Sequence, residues 1–156
     1  MDATIDVPIT IRAATDADAP TIAAFNTAMA WETERKELVP ETVNAGVRRF
    51  LARTDYGFYR VAERDGRVVG CLMVTFEWSD WRDGVFYWIQ SVYVAPEHRR
   101  RGVFRALYAF VEAQARSTPG VCGLRLYVER DNEAAQTTYR ALGMAETHYR
   151  LFETEL

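Results

Sequence analysis

Four arginines surround one glycine in the stretch HRRRGVFRAL, residues 98–107, of a chain whose formal net charge is −3. A strand-like apolar run ends before Pro96 and an amphipathic segment begins at Val103, so the pattern predicts a strand, a tight turn and a helix N-terminus. Such a terminus offers unpaired N–H donors and a partial positive charge, and arginines pair with phosphate oxygens. Gly102 lets the backbone adopt a positive φ close to a ligand. The stretch therefore predicts a polyphosphate site, most simply a diphosphate with another phosphate nearby.

A basic run is also compatible with a solvated helix start or with a surface that binds nucleic acid. The isoelectric point near 5.5 argues against a general nucleic-acid binder. The stretch lacks the Gly-Lys-Ser/Thr of a P-loop and the three-glycine spacing of a dinucleotide-binding fold. Phosphate binding at a single turn is the interpretation that the flanking strand and helix favour.

Hydrophobic periodicity and turn signals place this turn within an alternation of strands and helices. The predicted segments are a strand at 9–15, a helix with apolar residues at 23–29, a charged loop or continued helix at 31–41 that ends near Pro40, a helix at 41–52, a hairpin within 57–78 that turns at Asp65-Gly66, a strand at 85–94, a helix at 103–116, a strand at 123–129, a helix at 133–142 and a strand at 148–156. The order β-α-α-β-β-β-α-β-α-β predicts one α/β domain over residues 1–156 around a mixed sheet.

Composition restricts where and with what the chain works. It is 49% hydrophobic and 26% charged, which is ordinary for a globular protein, and 156 residues suffice for a sizeable core. The N-terminal residues show no basic leader, and no run approaches the length of a membrane span. Cys71 and Cys122 have no metal-like spacing and are predicted to be buried thiols. We expect a cytoplasmic protein with no metal and no membrane or nucleic-acid partner.

The strand and turn VYVAPEHRRRGVF resemble the signature Arg/Gln-x-x-Gly-x-Gly/Ala of the GCN5-related N-acetyltransferase (GNAT) family. Arg99 stands at its first position and Gly102 at its central glycine, while Phe104 replaces the usual small residue and Arg100 stands where a glycine is common. The segment RLYVERDNEAAQTTYRALGM is similar to the family's second motif, with Asn132 before the helix and Tyr139 about two turns on.

This resemblance covers nearly the whole chain and implies a mostly antiparallel central sheet flanked by helices, with acetyl-CoA as the acyl donor. Acetyl-CoA carries a diphosphate and a 3′-phosphate, which agrees with the anion that the arginine run predicts. The residues that the resemblance implies for the cofactor are Val92, Tyr93, Val94, Arg99, Arg100, Arg101, Gly102, Val103, Phe104, Arg105 and Asn132.

The family implies direct transfer of the acetyl group to an amine, without a covalent enzyme intermediate. Backbone groups of Val92 and Val94 are expected to pair with the pantetheine arm like an added strand, and an N–H near Val92 or Tyr93 to stabilise the oxyanion. Tyr139 is the candidate acid for the leaving thiolate. Asn132 is a candidate helix cap, a role compatible with cofactor binding.

Glu77 is the first candidate for the general base, and Glu32 and Glu34 follow. Strand 85–94 contains no Asp or Glu, and its Gln90 can orient a water but cannot take the proton. The missing strand carboxylate leaves a second interpretation open, in which the chain is a catalytically weak acyl-CoA sensor.

Aromatic and acidic residues near the segments that edge the family's acceptor cleft suggest a primary amine of a small molecule or peptide, held by cation–π and ionic contacts. The candidate acceptor residues are Trp31, Glu34, Trp78, Trp81 and Gln90. Homodimers are common in the family, and the chain is a possible homodimer.

Overall fold

The computed structural model describes residues 7–156, so the prediction of no leader segment falls partly on residues outside the described part. The helices and strands, in chain order, are β1 (Thr10–Ala13), α1 (Ala19–Glu34), α2 (Pro40–Leu51), β2 (Gly57–Arg64), β3 (Arg67–Ser79), β4 (Gly84–Val94), α3 (Val103–Ser117), β5 (Val121–Arg125) and α4 (Glu133–Ala141). The chain divides into two compact units, Met1–Leu126 and Tyr127–Leu156. The first unit holds the sheet with α1, α2 and α3, and the second holds α4.

The five strands lie in the order β1-β2-β3-β4-β5, in which each neighbouring pair is antiparallel except the parallel pair β4–β5. This confirms the predicted mixed, mostly antiparallel sheet flanked by helices. The predicted hairpin turn is also confirmed, because Asp65 and Gly66 have φ angles of 52° and 70° between β2 and β3. Two consecutive positive φ angles give the turn that matches the twist of paired strands.

Helices cover both faces of the sheet. On one face, Ile22 of α1 and Val47 of α2 pack with Tyr59, Val61 and Cys71 in a buried cluster. On the other face, the Arg60 side chain of β2 donates a hydrogen bond to the Gln114 side chain of α3 at 2.9 Å. Its guanidinium also lies over the Phe110 ring. Because successive strand residues point to opposite faces, this assignment fixes the face of every residue in β2 and in the regular part of β3.

The predicted last strand at 148–156 is wrong. Residues 145–156 form neither helix nor strand, and Leu151 and Phe152 are exposed. An alternating pattern produces a strand only where a neighbouring strand supplies N–H and C=O partners. Among the described residues of the unit Tyr127–Leu156 there is no other strand, so this segment has no partner within its own unit.

Three further boundaries differ from the sequence prediction. The charged segment continues α1 only to Glu34, where Arg35 adopts a left-handed φ of 53°, and Pro40 begins α2 instead of ending a helix. Proline suits a first turn because its missing N–H has no helical partner there. Strand β5 is shifted towards the N-terminus relative to 123–129.

Cys71 is buried as predicted, but Cys122 is exposed on the edge strand β5.

Gly57 and Gly46 form a matched pair for testing this packing. Gly57 has a φ of +152°, and a Cβ there would lie 1.9 Å from the Val74 carbonyl oxygen, whereas a Cβ on the exposed Gly46 of α2 meets nothing within 4 Å. We expect Gly57→Ala to lower the free energy of unfolding by about 3 kcal/mol. Gly46→Ala should raise it by about 0.5–1 kcal/mol, because alanine favours helix. Urea unfolding measures both, and equal stability of the two variants would contradict the structure.

Candidate active site

The arginine-rich turn ends at an open helix N-terminus. Gly102 is the N-cap of α3 with a φ of 78°, and the first i→i−4 bond of the helix runs from Ala106 N–H to the Gly102 carbonyl at 3.0 Å. The N–H groups of Val103, Phe104 and Arg105 therefore lie in the first turn, where an α-helix has no internal acceptors for them. A Cβ on Gly102 would meet nothing within 4 Å. The turn has the space and the donors to hold a phosphate.

Phe104, which departs from the family signature, packs along the helix. Its ring centroid lies 6.1 Å from that of Tyr108, one turn further on. The large side chain therefore has a partner within α3, and the backbone N–H groups of the first turn are the phosphate donors that this position can offer.

The arginines of the turn are not equivalent. All four are exposed, but Arg99 also donates from Nε to the Val94 carbonyl at 2.9 Å and from Nη2 to Glu32 Oε2 at 2.7 Å. Arg99 thus fixes the turn to the end of β4 and to the last part of α1. The charges of Arg100, Arg101 and Arg105 face solvent outside these two bonds and are available to a ligand.

Tyr93 completes a network around Glu32. Its hydroxyl donates to Glu32 Oε1 at 2.8 Å, and the Arg99 guanidinium lies 5.3 Å from its ring. The hydrogen bonds from Tyr93 and Arg99 lower the pKa of the Glu32 carboxyl. Glu32 is therefore held as a carboxylate in a structural network, which disfavours its role as a base. The sequence contained both charges, but nothing in their spacing showed that they meet.

Strand β4 loses one of its two neighbouring strands midway. Its antiparallel register with β3 continues to Val94, but its parallel register with β5 covers only the stretch from Val85 to Trp88. Among the described residues, the backbone from 89 to 94 consequently has no strand beside it on the β5 side. An extended ligand can pair with such an edge.

A β-bulge lies within this one-sided part of β4. The β3–β4 register shifts between Cys71 and Met73, and Ser91 opposite them has a φ of 47°. The Cys71 thiol contacts the Ser91 carbonyl oxygen at 3.7 Å, and burial raises the pKa of Cys71 to about 12. A bulge re-aims the backbone groups that follow it. Here those groups belong to Val92 and Tyr93.

Before the bulge, polar side chains of three strands share one face of the sheet. Thr75 and Trp88 are register partners, as are Glu77 and Phe86, and Gln90 donates an amide hydrogen bond to the Thr75 hydroxyl. Arg125 of β5 is the register partner of Trp88 at the last β4–β5 pair, and it forms an ion pair with Glu77. We call this set the polar floor: Thr75, Glu77, Trp88, Gln90 and Arg125.

The predicted acceptor residues do not all lie on this floor. Gln90 does, but Trp78 points to the opposite face, because it alternates with Glu77 along β3. Trp81 is 85% exposed in the turn between β3 and β4, and Trp31 is half-exposed on α1 with the Arg35 guanidinium 5.5 Å from its ring. Glu34 is the exposed last residue of α1. The sequence analysis did not identify Arg125 as a site residue. Its place on the floor depends on the parallel register of β5 with β4, which hydrophobic periodicity does not reveal.

Asn132 and Tyr139 lie in the second unit. Asn132 caps α4, accepting a hydrogen bond from the Ala135 N–H at 3.1 Å, which confirms the predicted cap. Tyr139 is half-buried on the same helix, and burial raises the pKa of its phenol. Its hydroxyl is therefore protonated at neutral pH. Gly143, with a φ of 87°, follows the end of the helix as predicted.

Two features are absent from the described residues, 7–156. These residues contain no helix that is long and apolar enough to cross a bilayer. Within the same part of the chain, no group of three or more His, Cys, Asp or Glu side chains is arranged to hold a metal ion.

Comparison with known proteins identifies the family. Residues 20–144 match the model of the acetyltransferase (GNAT) family. A crystal structure of a possible acetyltransferase from Clostridium difficile 630 is 43% identical, with a TM-score of 0.89 over 95% of this chain and 97% of that one. No protein with curated function is a significant match. The chain belongs to the GNAT family and is an acyltransferase.

More distant structures share the fold. A ribosomal-protein-alanine N-acetyltransferase from Brucella melitensis biovar Abortus 2308 is 17% identical, with a TM-score of 0.77 over 96% of this chain and 99% of that one. The aminoglycoside N-acetyltransferase AAC(6')-Iy, in complex with CoA, is 18% identical, with the same TM-score over 96% of this chain and 95% of that one.

The Glu32 network predicts a local stability that can be measured. Glu32→Gln removes the charge that holds Arg99, so we expect amide hydrogen exchange across residues 96–102 to accelerate about fivefold, the effect of a partly exposed ion pair. Glu37→Gln, an exposed carboxylate between α1 and α2, is the control and should leave that exchange unchanged. Exchange measured by mass spectrometry tests this, and identical rates in both variants would show that the network does not hold the turn.

Proposed function

We propose that residues 1–156 act as one acetyl-CoA-dependent N-acetyltransferase domain that acetylates a primary amine of a small molecule or peptide directly. The observation that carries this proposal is the course of β4, whose edge opens on one side after Trp88 and leads through a short turn to the open N-terminus of α3. An extended arm and a diphosphate need these two features in this order.

The cofactor residues divide into two groups by what they offer. The backbones of Val92, Tyr93 and Val94 offer strand-like pairing, and the N–H groups of residues 102–105 offer phosphate donors. Arg100, Arg101 and Arg105 supply exposed positive charge around that turn, and Arg99 holds it in place. Asn132, the cap of α4, is proposed as a further cofactor contact.

Acetyl-CoA supplies an acyl group activated as a thioester. In the proposed reaction, a backbone N–H at Val92 or Tyr93 stabilises the oxyanion that develops on the carbonyl oxygen of the acyl group. Glu77 accepts the proton that the acceptor amine must lose, and Gln90 orients a water or the amine. Tyr139 donates a proton to the departing thiolate. The net reaction converts an ammonium and the thioester into an acetamide, a free thiol and one proton.

The proposed acceptor region combines the polar floor with the exposed aromatic and acidic residues around it. Trp31, Glu34 and Trp81 are proposed to contact the part of the acceptor that lies away from the reacting amine, whereas Trp78, on the opposite face of the sheet, lies outside this region. The exposure of Trp31, Glu34 and Trp81 leaves their faces accessible to a ligand.

Calorimetric titration of acetyl-CoA and CoA into the protein, followed by a free-thiol assay with an amine panel, tests the function. We expect saturable binding and amine-dependent release of CoA. Binding without turnover by any amine would support an acyl-CoA sensor instead. Absence of binding would refute both.

Gly102→Glu should weaken acetyl-CoA binding at least 100-fold, because a carboxylate at the phosphate site adds bulk and like charge. Gly120→Glu is a matched control: both glycines have a φ of 78–82° and no atom within 4 Å of a built Cβ. Its backbone strain is comparable, but Gly120 follows the C-terminus of α3, the end opposite to Gly102, so the affinity of this variant should stay within twofold. Calorimetry measures both, and equal losses would remove the phosphate assignment from Gly102.

Tyr139→Phe should lower kcat about tenfold or more while the Kd for acetyl-CoA changes less than twofold, because only the proton donor is lost. Tyr149→Phe removes a hydroxyl from an exposed tyrosine of the same unit and serves as the control. Steady-state kinetics and calorimetry separate the two effects. An unchanged kcat would reduce Tyr139 to a packing role.

A further inference from the structure

The Glu77–Arg125 ion pair places two opposite charges side by side on the polar floor. The pair joins β3 to β5 across β4, with 41% of the Glu77 side chain and 28% of the Arg125 side chain exposed. It is thus neither buried in the core nor free in solvent. Both groups are accessible to a small molecule that enters above the floor.

A second guanidinium lies beside this pair. Arg125 stacks on the Phe86 ring at 3.7 Å, and Arg82 lies 5.0 Å from the centre of the same ring, with its Nη1 3.4 Å from the Ser79 hydroxyl. Two positive charges therefore lie near the Phe86 ring, against the single carboxylate of Glu77. An acceptor that carried only positive charge would meet net repulsion at this end of the floor.

The position of Arg125 relates this charge pattern to the open edge of β4. Arg125 and Trp88 form the last β4–β5 register pair, and the one-sided part of β4 begins at the next residue. A molecule bound at Arg125 and Glu77 consequently lies at the beginning of the edge along which we propose the acyl donor to bind.

We propose that the acceptor is a free α-amino acid, whose carboxylate is bound by Arg125, with the Arg82 charge adding to the attraction, and whose amino group is bound by Glu77. This inference rests on the proposed function. In the existing ion pair, the carboxylate of a zwitterion can replace Glu77 beside Arg125, and its ammonium can replace Arg125 beside Glu77. Arginine binds a carboxylate through two parallel hydrogen bonds. The bound ammonium gives one proton to Glu77, and the neutral nitrogen then forms the new C–N bond while the C–S bond breaks. The second proton that the nitrogen loses goes to solvent, and Tyr139, which is reprotonated from solvent, supplies the proton that the leaving thiolate takes up.

The test compares each α-amino acid with its own carboxamide, which keeps the amine and loses the negative charge. With saturating acetyl-CoA, we expect at least one amino acid to show a kcat/KM at least tenfold above that of its amide. Free-thiol release gives the rates, and mass spectrometry identifies the N-acetyl product.

Two substitutions locate the carboxylate site. Arg125→Gln should lower the acid-to-amide ratio of kcat/KM at least tenfold, and Arg82→Gln, on an exposed side chain whose loss the fold tolerates, should lower it about threefold. Arg116→Gln is the matched control, because Arg116 forms an exposed ion pair with Glu112 on α3 and should leave the ratio unchanged.

The outcomes separate this inference from the function on which it rests. The amino-acid assignment is overturned if amides or simple amines are acetylated with a kcat/KM equal to that of amino acids. It is also overturned if no amino acid is acetylated although acetyl-CoA binds. An unchanged ratio in both Arg125→Gln and Arg82→Gln overturns it as well. If acetyl-CoA does not bind and no amine releases CoA, the proposed function fails first.

Discussion

The parting of β4 from β5 is the constraint on which the rest of the site depends. A strand that loses its neighbour leaves a row of N–H and C=O groups that water or a ligand must satisfy. Here β3 keeps β4 in place as far as Val94, while β5 ends its pairing at Trp88. The bulge at Ser91 falls within this one-sided stretch, so the same segment provides both an edge for an extended molecule and a redirected backbone.

The turn after β4 adds to that edge the groups that the proposed charged ligand requires. The chain must reverse direction and begin α3 within a few residues, and Gly102 supplies the positive φ that this needs. Arg99 donates to the Val94 carbonyl and to Glu32, so one arginine of the run fixes the turn, while Arg100, Arg101 and Arg105 extend into solvent. The apparent redundancy of the arginine run thus reflects a division between structural and ligand-facing charges.

Most of the fold could be predicted from local patterns in the sequence. The Asp65-Gly66 turn, the start of α3 and the Asn132 cap depend on residues close in sequence, and each was predictable. The failures involve partners distant in the chain. The segment 148–156 alternates like a strand but has no strand to pair with in its own unit, and Cys122 is exposed because β5 is an edge. The Glu77–Arg125 pair depends on a register across three strands, which periodicity does not contain.

The two halves of the site are built from different kinds of residue, which affects how members of such a family diverge. The proposed donor half depends on backbone geometry at Ser91 and Gly102, which both have positive φ angles. The proposed acceptor half consists of side chains such as Glu77 and Arg125, which project from the sheet and are partly exposed. On this proposal, descendants of one ancestor can exchange these side chains and acquire new substrates while the backbone that binds the acyl donor is inherited unaltered.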